Sequence, residues 1–258
     1  MTKRTVERRD LTELSDEVAR SGLMSGEWEE HLEELRRRII AALSVFFAVS
    51  LLAFLLSDRI ASFLLAPVHD LGLTLYTFAP QEKFMAYLHL AVWVGIVVTL
   101  PFALLQLGLF LWPALRRNEK GYALGALGAV PVLFIAGSAA AYAFMAPVVL
   151  RFFLAFAGGD GVEPLWGLRQ YLAMLAGIML ASGVLLQMPL ALLTLFATGL
   201  ATPKGVARFR PHIILLIFFL AALCTPPDVV SQVMVGIPLY LLFEGTLLVG
   251  RFIARRGS

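Results

Sequence analysis

The chain has 258 residues, of which 59% are hydrophobic and 15% charged, with a formal net charge of +3. An ordinary soluble domain is about 45–50% apolar and about 25% charged, so this composition excludes one as the body of the protein and points to membrane helices. The single cysteine, Cys224, excludes an intrachain disulfide and a cysteine metal cluster, and the small positive charge, read by its location, carries no nucleic-acid signal.

Residues 1–26 are polar and mixed in charge, with no apolar core ahead of a cleavage site, and are expected to form a mobile tail, not a signal peptide. Residues 27–38 read as an amphipathic helix, because Trp28, Leu32, Leu35 and Ile39 recur at helical spacing with glutamates and arginines opposite. Apolar runs follow at 39–56, 84–112, 122–150, 172–200, 213–224 and 233–249. A helix needs about 20 apolar residues to cross the hydrocarbon, and these runs are too long and too uniformly apolar for barrel strands. The fifth run has only 12 residues, or about 18 Å of helix, which predicts a short or re-entrant hairpin with the sixth. Residues 57–83, with Pro67 and Pro80, and residues 151–169, with a Gly-Gly-Asp-Gly turn, read as loops.

Of the 21 lysines and arginines, 17 fall in residues 1–38, 113–121, 201–211 and 251–258, which are the loops and termini of one face. The positive-inside rule then gives six spans with both termini cytoplasmic. Domain organisation follows as a tail (1–26), one membrane domain (27–252) and a short C-terminal tail (253–258). Pro101, Pro131, Pro147, Pro189 and Pro238 fall within the runs and are expected to bend them. Gly121, Gly125 and Ala129 suggest a close-packing stripe.

Ionisable groups inside a span are expensive and are functional candidates by default. Glu244 is the one carboxylate well inside an apolar run, and reads equally as an anchor to a neighbouring helix or as a functional group. Gln106 and Gln187 read as interhelical hydrogen-bonding groups, and His89 as interfacial. No phosphate loop, zinc pair or nucleophile elbow is present, so nothing catalytic assembles. The acids of the charged face stand apart. Glu34 abuts the first span and Glu119 is the one acid in its loop; each has a solvated-surface reading, with Glu34 pairing to Arg38 and Glu119 to Arg116. A carboxylate shielded by headgroups would instead bind a bidentate guanidinium.

At this point the residues resemble a family. His31-Leu-Glu-Glu-Leu-Arg-Arg-Arg-Ile39, Ala79-Pro-Gln-Glu-Lys-Phe84, Pro101-Phe-Ala-Leu-Leu-Gln106, Phe110-Leu-Trp-Pro-Ala-Leu-Arg-Arg-Asn-Glu119, Thr225-Pro-Pro-Asp-Val-Val-Ser-Gln232 and Ile237-Pro-Leu-Tyr-Leu-Leu-Phe-Glu244 are similar, in order and spacing, to TatC of the twin-arginine translocase. The resemblance implies an all-α fold of six tilted helices in a cupped, glove-like arrangement, and a non-enzymatic receptor without cofactor or metal in the cytoplasmic membrane of a prokaryote. Such a receptor binds twin-arginine signal peptides, assembles with itself and with the single-span TatA and TatB, and exports folded cargo with the proton motive force. Carried residue by residue, Glu34 and Glu119 are the expected arginine binders, with Arg36, Phe110 and Arg117 elsewhere on the recognition surface. Pro67 and Asp228 are structural or assembly positions. Gln187 stands where the family commonly has glutamate, and keeps hydrogen bonding to a partner without a charge. An ion transporter built on Glu244 and the glutamines, or an inert scaffold, are the rival readings.

Overall fold

The computed structural model describes residues 29, 31–112, 120–157, 165–224 and 229–256. The chain divides into two units, Met1–Leu43 and Ser44–Ser258. The described part is almost entirely helical. Helix α1 runs His31–Leu55. It is followed by α2 (Ser57–Leu64), α3 (Ala66–Asp70), a two-residue strand β1 (Leu75–Tyr76), α4 (Glu82–Leu111) and α5 (Lys120–Ala140). After a π-turn at Ala141–Met145 come α6 (Ala146–Ala157), β2 (Trp166–Gly167), α7 (Leu168–Leu185), α8 (Gln187–Ala197), α9 (Pro203–Ala207), α10 (Arg210–Cys224) and α11 (Val229–Arg256).

Among the described residues, four stretches are long and apolar enough to cross a membrane: His31–Leu55, Glu82–Phe110, Ala123–Phe156 and Leu168–Ala197. They correspond to the first four apolar runs. Helix α10 has 15 residues, three more than its run, and still covers only about 22 Å. Helix α11, at 28 residues, extends the sixth run at both ends. The amphipathic stretch and the first run, read separately from the sequence, form one continuous helix: no proline or glycine lies between His31 and Leu55 to interrupt it.

Prolines mark where the long helices change character. Pro147 has no N–H to give the carbonyl four residues back, and the turn just before it is the π-turn Ala141–Met145. Pro189 follows the break at Leu186 that separates α7 from α8. Pro101, Pro131 and Pro238 lie inside α4, α5 and α11 without ending them.

The two segments read as loops are more ordered than expected. Residues 57–83 contain α2, α3 and β1; α6 runs on to Ala157 and β2 begins at Trp166. The strands pair in parallel, Leu75 with Trp166 and Tyr76 with Gly167, and so tie the two connections together at one end of the spans.

The core of the second unit is centred on α7, whose Leu175 and Ile178 are fully buried. With Leu175 pack Leu64, Val68, Leu90 and Leu150 from α2, α3, α4 and α6, and with Ile178 pack Ala141 and Val149. A second cluster joins α8, α10 and α11 through Phe196, Ile217, Phe243 and Leu247. The expected stripe at Gly121 and Gly125 is not a helix contact among the described residues: a Cβ at either would meet nothing within 4 Å. The close approach lies further along α5, where a Cβ on Gly137 would sit 2.6 Å from the Ser182 carbonyl of α7.

Candidate functional site

In the first unit, Glu34 sits one turn into α1, ahead of the apolar stretch. Helical geometry places Arg38 one turn further on the same face. Arg38 donates to Glu34 Oε1 from Nε at 3.0 Å and again from Nη2. Both side chains are half-buried, whereas Glu33, Arg36 and Arg37 are exposed. The i,i+4 pair weighed from the sequence is therefore formed. Glu34 has a carboxylate that already accepts a guanidinium, with acceptor capacity left on its other oxygen.

The second acidic position lies between α4 and α5. Phe110 is half-buried in the last turn of α4. The Lys120 ammonium at the start of α5 stands 5.8 Å from the centroid of the Trp112 ring, so the two ends flanking the connection come together. Arg117 and Glu119, like Asp228, lie outside the described residues.

Glu244 makes the contact to a neighbouring helix that one of its two sequence readings expects. Arg210, at the first position of α10, donates from Nη2 to Glu244 Oε2 at 2.7 Å. Its Nε lies 2.7 Å from Oε1 but is not angled to hydrogen-bond, so the pair is an ionic contact with one directed bond. Tyr240, one turn before Glu244 on α11, donates its hydroxyl to Oε1 at 3.0 Å. The carboxylate is thus committed to holding α10 on α11, and Gln232 adds a bond to the Phe218 carbonyl at 2.7 Å near the other end of the same pair.

Gln187 opens α8 and reaches α5, donating from Nε2 to the Val130 carbonyl at 3.1 Å and, more weakly, to Gly183 at 3.4 Å. Its Oε1 is buried without a partner among the described residues. This is the interhelical bond expected of it, with an acceptor left over. Pro67 is buried in the first turn of α3, where its missing N–H costs nothing. His89 is exposed and Gln106 half-buried, both on α4.

Sequence reasoning did not find Arg210 as the partner of Glu244, because 34 residues separate them and no spacing rule links them. It also passed over two tyrosines that cross between elements. Tyr171 donates to the Leu64 carbonyl at 2.7 Å and Tyr142 to the Phe63 carbonyl at 2.6 Å. The available signal was a phenol inside an apolar run (Tyr142) or at the edge of one (Tyr171), where a buried hydroxyl has to find an acceptor.

Residues 30–238 match the family model of the Sec-independent protein translocase protein TatC. The chain is 36% identical over 225 residues to the TatC protein of Haemophilus influenzae, covering 86% of this chain and 88% of that one. It is 33% identical over 231 residues to that of Magnetococcus marinus, covering 88% and 84%. The crystal structure of a twin arginine translocase receptor, TatC in DDM, superposes with a TM-score of 0.77 at 30% identity, over 85% of this chain and 99% of that one.

Proposed function

The chain belongs to the TatC family of Sec-independent protein translocase proteins, non-enzymatic transport subunits of the membrane, and from that premise we propose that it is the receptor for twin-arginine signal peptides. In this reading it has six spans, with both termini on the cytoplasmic side of a prokaryotic inner membrane. It assembles with itself and with TatA and TatB, and uses the proton motive force to pass folded cargo. Glu34 and Glu119 take the paired arginines, Arg36, Phe110 and Arg117 complete the recognition surface, and Gln187 faces the single-span partners. Pro67, Asp228 and Glu244 hold the scaffold.

The observation that carries the site assignment is the state of Glu34. It lies at the border between the charged turns and the apolar stretch of α1, and its carboxylate is already shaped around a guanidinium. A signal arginine entering there either uses the free lone pairs or exchanges with Arg38, and either route replaces one charge-assisted bond by another of the same kind. Lysine, a point charge without the planar fork, fits such an exchange less well.

The test is site-specific crosslinking of a twin-arginine signal peptide to positions flanking residues 34 and 119, with a twin-lysine peptide as control. Glu34→Gln with Glu119→Gln is expected to weaken capture of the twin-arginine peptide by roughly tenfold or more, the scale of a lost charge-assisted contact. Undiminished capture by the double variant sinks the site assignment.

A further inference from the structure

Two cavities in the second unit share one wall. The first, about 320 Å³, is apolar and lies at the depth of the spans, between Val98 and Pro101 of α4, Phe134 and Ile135 of α5 and Met179 of α7. The second, about 250 Å³, lies just beyond the apolar runs that end at Leu56 and Leu150, and is lined by Pro67 and Asp70 of α3 and by Pro147 and Arg151 of α6. Tyr142 lines both. The π-turn carries it, its ring stacks on Phe63 at 4.9 Å, and its hydroxyl is held by the Phe63 carbonyl.

The second cavity has an unusual charge pattern. Asp70 and Arg151 both face it and both are exposed, yet no ion pair joins them among the described residues. Opposite charges on one small cavity at a hydrocarbon boundary, left unpaired, fit a ligand that carries both signs. The apolar cavity behind Tyr142 fits what such a ligand would trail.

We propose that these two adjacent cavities form a binding site for one aminophospholipid, with its phosphate at Arg151, its primary ammonium at Asp70 and an acyl chain lying in the apolar cavity on the other side of Tyr142. The assignment rests on charge complementarity. Phosphatidylethanolamine has an ammonium with three N–H donors for a carboxylate, whereas phosphatidylcholine keeps the charge but has no N–H, and phosphatidylglycerol has no cation. The site therefore ranks the three headgroups, and a merely greasy surface does not. It is independent of the signal-peptide site, since none of its residues is assigned there.

The experiment uses the full chain purified in detergent, with native mass spectrometry counting lipids retained from equimolar phosphatidylethanolamine, phosphatidylcholine and phosphatidylglycerol of identical acyl chains. The expected result is one lipid retained, phosphatidylethanolamine in roughly three- to tenfold preference over phosphatidylcholine, the scale of one partly exposed charge-assisted contact. Asp70→Asn should erase that preference while keeping a bound phospholipid, and Arg151→Gln should lower retention of all three. Ala139→Phe, which fills the apolar cavity from its wall, should do the same without touching either charge. All three positions are exposed, and an unchanged unfolding midpoint identifies folded variants. Equal retention of the three lipids by the unaltered chain overturns the proposal, as does a headgroup preference that survives Asp70→Asn. Displacement of the lipid by a hydrophobic single-span peptide, with no headgroup dependence, would assign the cavities to a protein partner and also overturn it.

Discussion

Helix α5 meets α7 through small residues, whereas α10 meets α11 through charge, and the two contacts are built to different tolerances. On α5, Gly137 lets the backbone approach the Ser182 carbonyl, and Ser138 donates across to the Met179 carbonyl at 3.1 Å. Gly183 on α7 returns the fit, with the Phe134 ring and the Ser138 hydroxyl where its Cβ would be. In hydrocarbon no hydrophobic force separates one apolar surface from another, so a helix pair is held by close van der Waals packing or by polar groups. Helix α10 is short, and besides the apolar contact of Ile217 its place on α11 is fixed at one end by Arg210 with Glu244 and Tyr240, and towards the other by Gln232. The first contact depends on volume and the second on paired polar groups, so they should fail under different substitutions.

The largest effect is expected at Gly137. Any side chain there meets a backbone carbonyl, which cannot turn aside as a side chain would. Gly137→Leu should destabilise by about 3 kcal/mol, the upper end of overpacking, and lower the unfolding midpoint in detergent by roughly 6–12 °C. Gly128→Leu on the same helix, where a Cβ meets nothing within 4 Å, is the control and should leave the midpoint within about 1 °C. A similar loss from both would show that propensity or expression, not the helix approach, governs.

Next comes Glu244→Leu. It leaves the Arg210 guanidinium unpaired and the Tyr240 hydroxyl without its acceptor, and is expected to lower the midpoint by roughly 3–5 °C and to speed hydrogen exchange in α10 before the rest. Arg210→Met added to it should recover most of the loss, because removing both charges leaves only the Tyr240 hydroxyl short of a partner. A double variant as damaged as the single would mean that the ion pair is incidental to the joint.

The same contrast separates what was legible in the sequence from what was not. The long helices could be read from their apolar runs because a span must satisfy its own backbone, so length and composition nearly determine it. Glu244 could be singled out for the cost of a carboxylate in an apolar run, but Arg210 could not, since the pairing of α10 with α11 is a tertiary fact. The Gly121–Gly125 spacing suggested the wrong approach site on the right helix: small residues permit contact, but only the path of the neighbouring helix decides which of them is used. Of the candidate site, Glu34 and its i,i+4 partner could be read because both lie on one helix. The β1–β2 pairing could not, because two-residue strands carry no periodicity to detect.

A smaller effect is expected where α10 and α11 do touch closely. Gly236 faces the Phe218 ring, and a Cβ would sit 2.8 Å from Cε1. The neighbour is a side chain, so it can shift where the Ser182 carbonyl cannot. Gly236→Ala should destabilise by only about 0.5–1 kcal/mol, and Phe218→Leu in the same chain should remove the penalty. A loss as large as that at Gly137 would erase the distinction between the two interfaces.

The smallest effect is expected at Gln187, a polar contact set among helices held by packing. Its amide donates to Val130, but that carbonyl lies inside α5, where a helical N–H already serves it, and Oε1 is buried with no partner among the described residues. Gln187→Met keeps the length of the side chain while removing one redundant donor and one orphaned acceptor, so stability should change by no more than about 0.5 kcal/mol in either direction. Gln187→Glu is the sharper arm. It replaces the donor by a second oxygen facing the Val130 and Gly183 carbonyls, and should destabilise where methionine does not. Measured side by side by thermal unfolding, the order Met above Glu is what a packing-held interface requires. The reverse order would mean that a carboxyl at this position finds a donor that the described residues do not supply.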